Sequence, residues 1–104
     1  YFQQGDARAE EIAQRAYAQS PDNGSVADTL GWIQVNSGKL DEGIATLRRA
    51  VELSNGHAEI KYHLAAALAK AGEKAEARDL VEEALSGEGQ LISREDAERL
   101  LSTL

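Results

Sequence analysis

The chain repeats itself, and this constrains its fold more than any other feature. The stretch LGWIQVNSGKLDEGIATLRRAV, residues 30 to 51, is answered 34 residues later by LAAALAKAGEKAEARDLVEEAL. Laying residues 24–57 over 58–91 without a gap pairs Leu30 with Leu64, Gly31 with Ala65, Gly38 with Gly72 and Glu42 with Glu76. The register then holds through Gly43 and Ala77, Leu47 and Val81, Ala50 and Ala84, Val51 and Leu85. Two unrelated amphipathic helices share some apolar positions by chance, but not readily a glycine at the inter-helix turn together with small residues at matching places. Each unit is therefore expected to be a helical hairpin that buries its apolar face by stacking on its neighbours.

Composition supports an all-α chain. Alanine, leucine, glutamate, lysine and arginine dominate, Pro21 is the single proline, and strand signals are missing. With 104 residues there is room for one domain and one modest core. A net charge of −7 without a basic run excludes nucleic acid as a partner and disfavours acidic membranes. No apolar run approaches the ~20 residues that span a bilayer, so no direct membrane insertion is expected of this segment. The absence of cysteine rules out disulfides and thiolate metal sites and leaves the compartment open.

Nothing in the sequence assembles into a reaction centre. His57 and His63 stand six residues apart across a repeat boundary with no further ligand spacing, so neither a metal nor another cofactor is expected; His57 reads as a turn residue and His63 as a helix-surface residue. The carboxylate pairs Asp41–Glu42, Glu82–Glu83 and Glu95–Asp96 read as solvated faces or first-turn partners of helix dipoles. SGEGQ lacks the spacing, lysine and preceding strand of a phosphate loop, and no nucleophile motif appears. The chain is not expected to be an enzyme.

The flanks extend the pattern. Tyr1–Gln3 match the end of the protease site ENLYFQ used to remove purification tags and read as a tag remnant; with no initiator methionine or signal peptide, a fragment of a longer protein is expected. Residues 4–23 read as the second helix of a truncated unit, because Ala9, Ala16 and Pro21 fall at the phase of Gly43, Ala50 and Asn55, and Pro21 ends the helix. After a break at SGEGQLI, residues 92–104 read as a capping helix. Ser93 and Asp96 suggest a capping box there, and Leu100, Leu101 and Leu104 supply one apolar side. No such cap protects the N-terminal side, where an exposed stacking face could drive self-association.

The period and its residues resemble the tetratricopeptide repeat (TPR), whose pattern is W-x2-L-G-x2-Y, then A-x3-F, then a small residue and proline. The first unit reads Ala27, Leu30, Gly31, Gln34, Gly43, Leu47, Ala50 and Asn55, and the second Lys61, Leu64, Ala65, Leu68, Ala77, Val81, Ala84 and Gly89. Gln34 departs from the usual aromatic and needs a partner if buried, since an unpaired amide costs about 1–3 kcal/mol. Gly43 departs from alanine at about 1 kcal/mol of helix propensity. The resemblance implies a right-handed superhelix of antiparallel helix pairs, an α-α solenoid with a C-terminal capping helix.

It also implies a concave groove lined by the first helix of each unit. Carried onto this chain, the groove positions are Ser25, Asp28, Thr29, Trp32, Val35 and Asn36, then Glu59, Tyr62, His63, Ala66, Ala69 and Lys70. Trp32 and Tyr62 are the expected anchors, large apolar surfaces with one polar atom each. Asp28 and Glu59 are expected on one edge, with Lys70 and His63 opposite. Asp28 and Trp32 stand where the dicarboxylate clamp of chaperone-binding domains needs lysine and asparagine, so a hydrophobic or basic segment suits the groove better than an acidic C-terminus.

Residues 4–104 are similar in wording to the C-terminal end of bacterial multi-TPR proteins, especially TPR lipoproteins of exosortase (PEP-CTERM) and exopolysaccharide clusters. That implies a periplasmic or envelope scaffold, with the cytoplasm as the alternative compartment. The expected function is a non-catalytic scaffold for a protein or peptide. The other readings are a spacer or self-assembly module, and an accessory domain of an enzyme.

Overall fold

The computed structural model describes residues 2–87 and 93–104. Six helices follow in order: α1 (Phe2–Gln19), α2 (Gly24–Asn36), α3 (Leu40–Leu53), α4 (Ala58–Lys70), α5 (Lys74–Ser86) and α6 (Arg94–Thr103). No strand occurs among the described residues. Neighbouring helices pack pairwise along the chain, and the first helices α2 and α4 also touch each other. The expected all-α solenoid is what forms. Most of SGEGQLI, including Gly89, lies outside the described residues, as does Tyr1 of the tag-like YFQ.

The two hairpin turns are the same turn used twice. Lys39 N–H donates to the Gln34 carbonyl and Glu73 N–H to the Leu68 carbonyl, each at 2.9 Å. Gly38 and Gly72 share a φ of 87°, a left-handed conformation that costs glycine nothing and most other residues more. The turn between the units differs: Asn55 adopts φ 57° and Gly56 φ 79°. Proline cannot take positive φ, which explains why asparagine occupies the position where the repeat pattern carries proline.

Small residues set the spacing between α2 and α3. A Cβ added at Gly31 would lie 2.7 Å from Leu47 Cγ, and one at Gly43 would lie 2.5 Å from Val35 Cγ2 and 2.9 Å from the Gly31 carbonyl. Gly31 thus has no room even for a methyl group unless Leu47 shifts. Val35 corrects the sequence reading outright: it is 5% exposed and sits in the core with Leu47 instead of lining a groove, because the space left by Gly43 takes its side chain. The second unit has alanine at both crossing positions, with Ala65, Ala77 and Val81 buried.

The buried Gln34, 6% exposed, finds a partner in Thr46, whose hydroxyl lies 2.8 Å from Oε1. One unit further on, the same two positions are Leu68 and Leu80, so a polar pair and an apolar pair serve as alternatives at one crossing. Glu10 of α1, 7% exposed, accepts from Lys39 Nζ at 2.7 Å and from Gln14 at 3.1 Å, tying α1 to the first hairpin turn. Arg48 forks onto Glu76 at 2.5 and 3.0 Å, joining α3 to α5, and holds that carboxyl below the usual glutamate range.

At the ends the structure refines the sequence reading. Helix α1 starts at Phe2, well before Asp6, and ends at Gln19 ahead of Pro21. Ser93 does stand at the start of α6, but its side chain makes no cap bond to that helix. The capping box does not form because Ser93 Oγ turns to Glu59 instead. Ala97 is buried and Leu100, Leu101 and Leu104 pack on the core, so α6 covers α5 with one apolar side.

Replacing Gly43 with alanine tests the spacing. Propensity alone would stabilise α3 by about 1 kcal/mol, whereas overpacking against backbone costs about 1–3 kcal/mol. The Gly43→Ala variant is expected to unfold at lower urea than the parent. A higher midpoint would contradict the close approach.

Candidate functional site

Side chains of α2, α4 and the start of α6 meet in one row along the first helices. Trp32 of α2 stacks on His63 of α4 with ring centroids 4.5 Å apart and planes 24° from parallel. Tyr62 tilts against the same imidazole, at 5.8 Å and 50°. These separations are the range in which aromatic rings attract beyond their buried area. The three rings form a half-buried aromatic surface that spans both units.

Carboxylates hold the imidazole from two sides. His63 Nδ1 lies 2.7 Å from Asp28 Oδ1, and His63 Nε2 lies 3.6 Å from Glu59 Oε2, too long for a direct hydrogen bond. All three side chains are 17% exposed. Glu59 also accepts from the Ser93 backbone N–H at 3.0 Å and from the Ser93 hydroxyl. The chain of contacts Asp28–His63–Glu59–Ser93 thus crosses from α2 through α4 to α6. Burial pushes the Tyr62 phenol above its ordinary value, and the carboxylates of Asp96 and Glu59 add to the shift while Arg99 opposes it.

The sequence-derived groove positions divide into four sets. Asp28, Trp32, Glu59, Tyr62 and His63 come together in the row just described. Thr29 and Ser25 face another way, into a groove shared with α1, and Thr29 Oγ1 donates to the Ser25 carbonyl of its own helix at 3.0 Å. Val35 is core. Ala66 and Ala69 are half-buried, while Asn36 and Lys70 are exposed, Asn36 donating to the Trp32 carbonyl at 2.9 Å.

Two expectations about the histidines are corrected. His63 is not a plain surface residue and does not stand opposite the acidic edge: it lies between Asp28 and Glu59, because the one-unit offset brings α4 against α2. His57 does occupy the inter-repeat turn, and its Nδ1 accepts from the Glu59 N–H at 3.2 Å as the cap of α4. Sequence reasoning missed Ser93 as a partner of Glu59. The signal was present, since Ser25, Glu59 and Ser93 occupy one position in successive units. Glu10 was missed without any comparable signal.

This geometry offers no assembled nucleophile, and among the described residues no group of three or more His, Cys, Asp or Glu side chains could hold a metal ion. It can bind by stacking, apolar contact and hydrogen bonding to carboxylates. No helix among the described residues is long and apolar enough to cross a membrane.

Trp32 is the only tryptophan, so its fluorescence reports on the row. Replacing His63 with alanine uncovers one indole face, and the emission maximum is expected to move to longer wavelength while the far-ultraviolet circular dichroism stays that of the parent. An unshifted spectrum would contradict the stack.

Comparison with protein families gives a match to the tetratricopeptide repeat over residues 34–90, more than half of the chain. No curated protein matches it. Repeats of this type generally serve as non-catalytic scaffolds for protein–protein interaction. The matched span, the twice-used glycine turn and the close crossing of paired helices agree: this chain belongs to the tetratricopeptide repeat family.

Proposed function

We propose that the chain is a binding scaffold that takes an extended or helical protein segment, apolar with basic side chains, along the row formed by Asp28, Trp32, Glu59, Tyr62 and His63. The observation that carries this reading is the aromatic surface of Trp32, His63 and Tyr62 flanked by carboxylates. It offers stacking area to apolar and guanidinium groups and acidic acceptors to basic ones. Lys70 and Asn36 extend the same helices and are assigned to the rim, with Ala66 as the small residue between them.

The domain reading fits this function. We assign 24–57 and 58–91 as two complete repeats, 4–23 as the second helix of a preceding unit, and 92–104 as the covering helix. The contact of Ser93 with Glu59 supports a role for α6 in fixing the groove as well as in covering α5. The wording shared with TPR lipoproteins of exosortase and exopolysaccharide clusters suggests an envelope setting, in which the bound segment belongs to a protein-sorting or polymer-export system.

A spacer that stacks head to tail is less well supported. The outward residues of α6 include Arg94, Glu95, Glu98 and Arg99, all exposed, and desolvating such a charged face against an apolar one is costly.

Selection of displayed peptides on the immobilised protein tests the binding reading. Segments enriched in lysine or arginine beside apolar residues are expected. Their binding should fall by about 2 kcal/mol or more in Trp32→Ala, roughly thirtyfold in Kd, with helicity retained; Tyr62→Ala serves as the second variant. Enrichment of acidic peptides, or binding indifferent to both substitutions, would contradict the proposal.

A further inference from the structure

One side chain of the row is of the kind that titrates near neutral pH, and its contacts depend on its proton. The two ring nitrogens of His63 face acceptors on different helices. Nδ1 meets the Asp28 carboxylate of α2 at 2.7 Å, and Nε2 faces the Glu59 carboxylate of its own α4 at 3.6 Å. A carboxylate only accepts, so the single proton of a neutral imidazole sits on Nδ1, toward Asp28. Nε2 then turns a bare lone pair toward Glu59, acceptor facing acceptor.

Glu59 is not free to turn away. Its Oε1 accepts from the Ser93 backbone N–H at 3.0 Å and its Oε2 from the Ser93 hydroxyl, so leaving His63 would break both bonds to the start of α6. Asp28 differs: its Oδ2 accepts no hydrogen bond among the described residues and is not buried. That oxygen is open to a ligand.

The charge of the cluster is set by the imidazole. Asp28 on α2 and Glu59 on α4 are the ionisable groups within ion-pair reach of the ring, and neither meets a lysine or arginine among the described residues. Tyr62, tilted against the ring, has its phenol pushed up by burial and then by Asp96 of α6 and Glu59, with Arg99 of α6 opposing, so it stays uncharged where an imidazole titrates. Trp32 and Ser93 bring no charge. With a neutral His63 the cluster of Asp28, His63 and Glu59 carries both negative charges uncompensated. An imidazolium cancels one of them and aims a second N–H donor at Glu59.

Building on the binding role argued above, we propose that His63 is a proton gate for the row. Neutral, it leaves the carboxylates to hold a lysine or arginine of the bound segment; protonated, it supplies the cation itself and the segment is released. Proton and segment compete for the same carboxylates, so each weakens the other by the same factor.

The probe is a rhodamine-labelled peptide of alternating lysine and leucine with blocked ends, whose charge is constant between about pH 8 and about pH 5.5, the span over which an imidazole changes charge. Anisotropy titrations with the intact protein should give a Kd that rises at least about fivefold at the lower pH. His57→Gln should respond like the parent. His63→Gln, which lacks a ring of the row, should bind more weakly at both pH values but equally at each. A pH response of parental size in His63→Gln, or none in the parent while Trp32→Ala still weakens binding, overturns the gate and leaves the binding role standing. Binding absent at both pH values, or indifferent to Trp32→Ala, overturns both. Without peptide, an imidazolium stacked on an indole quenches it, so Trp32 emission should fall over the same span in the parent and not in His63→Gln. Constant parental emission would mean a ring of unchanging charge and also overturns the gate.

Discussion

The approach of α2 to α3 sets the geometry on which the rest of the molecule depends. With no side chain on Gly31 or Gly43, Leu47 packs against one backbone and Val35 against the other. Close packing of this kind has few alternatives, since interiors tolerate neither voids nor overlaps of a methyl group without cost. The same glycine turn then returns each second helix, and successive first helices touch. Asp28 and His63, 35 residues apart in sequence, meet at 2.7 Å only because this spacing holds.

Two surfaces with different chemistry follow from one stacking rule. Toward the C-terminal end the first helices present aromatic rings and carboxylates, knitted by contacts that reach Ser93. Toward the N-terminal end the stacking surface is bare alanine, valine and isoleucine, ordinarily the inside of such an array. The outer face of α6, by contrast, carries exposed charges of both signs. One end of the stack is apolar and the other is charged. Stacking, apolar contact and hydrogen bonding to carboxylates need no reactive group, and repeats of this family generally serve as non-catalytic scaffolds.

How much of this was legible in the sequence follows from the range of each interaction. The hairpins were legible because their determinants are local: Gly38 and Gly72 supply the positive φ, and the apolar period does the rest. The buried partner of Gln34 was foreseeable as a need but not as Thr46, because the pairing crosses between helices. Val35 was misassigned because its groove position came from the family pattern, while its burial comes from the particular glycine at residue 43. His63 looked like a surface residue because the ring stacked on it and the carboxylate bonded to it, Trp32 and Asp28, come from the previous unit. At Ser93 a local signal for helix capping competed with a carboxylate one unit back, and the carboxylate won, as expected for a charged acceptor.

The most direct measurement of the repeated crossing is a methyl-resolved nuclear Overhauser spectrum of the labelled protein. The account expects cross-peaks from the Gly31 α-protons to the Leu47 methyls and, at the equivalent place one unit on, from the Ala65 methyl to the Val81 methyls. Finding the first without the second, or neither in a folded protein, would mean that the two units do not share one packing geometry and would contradict the account.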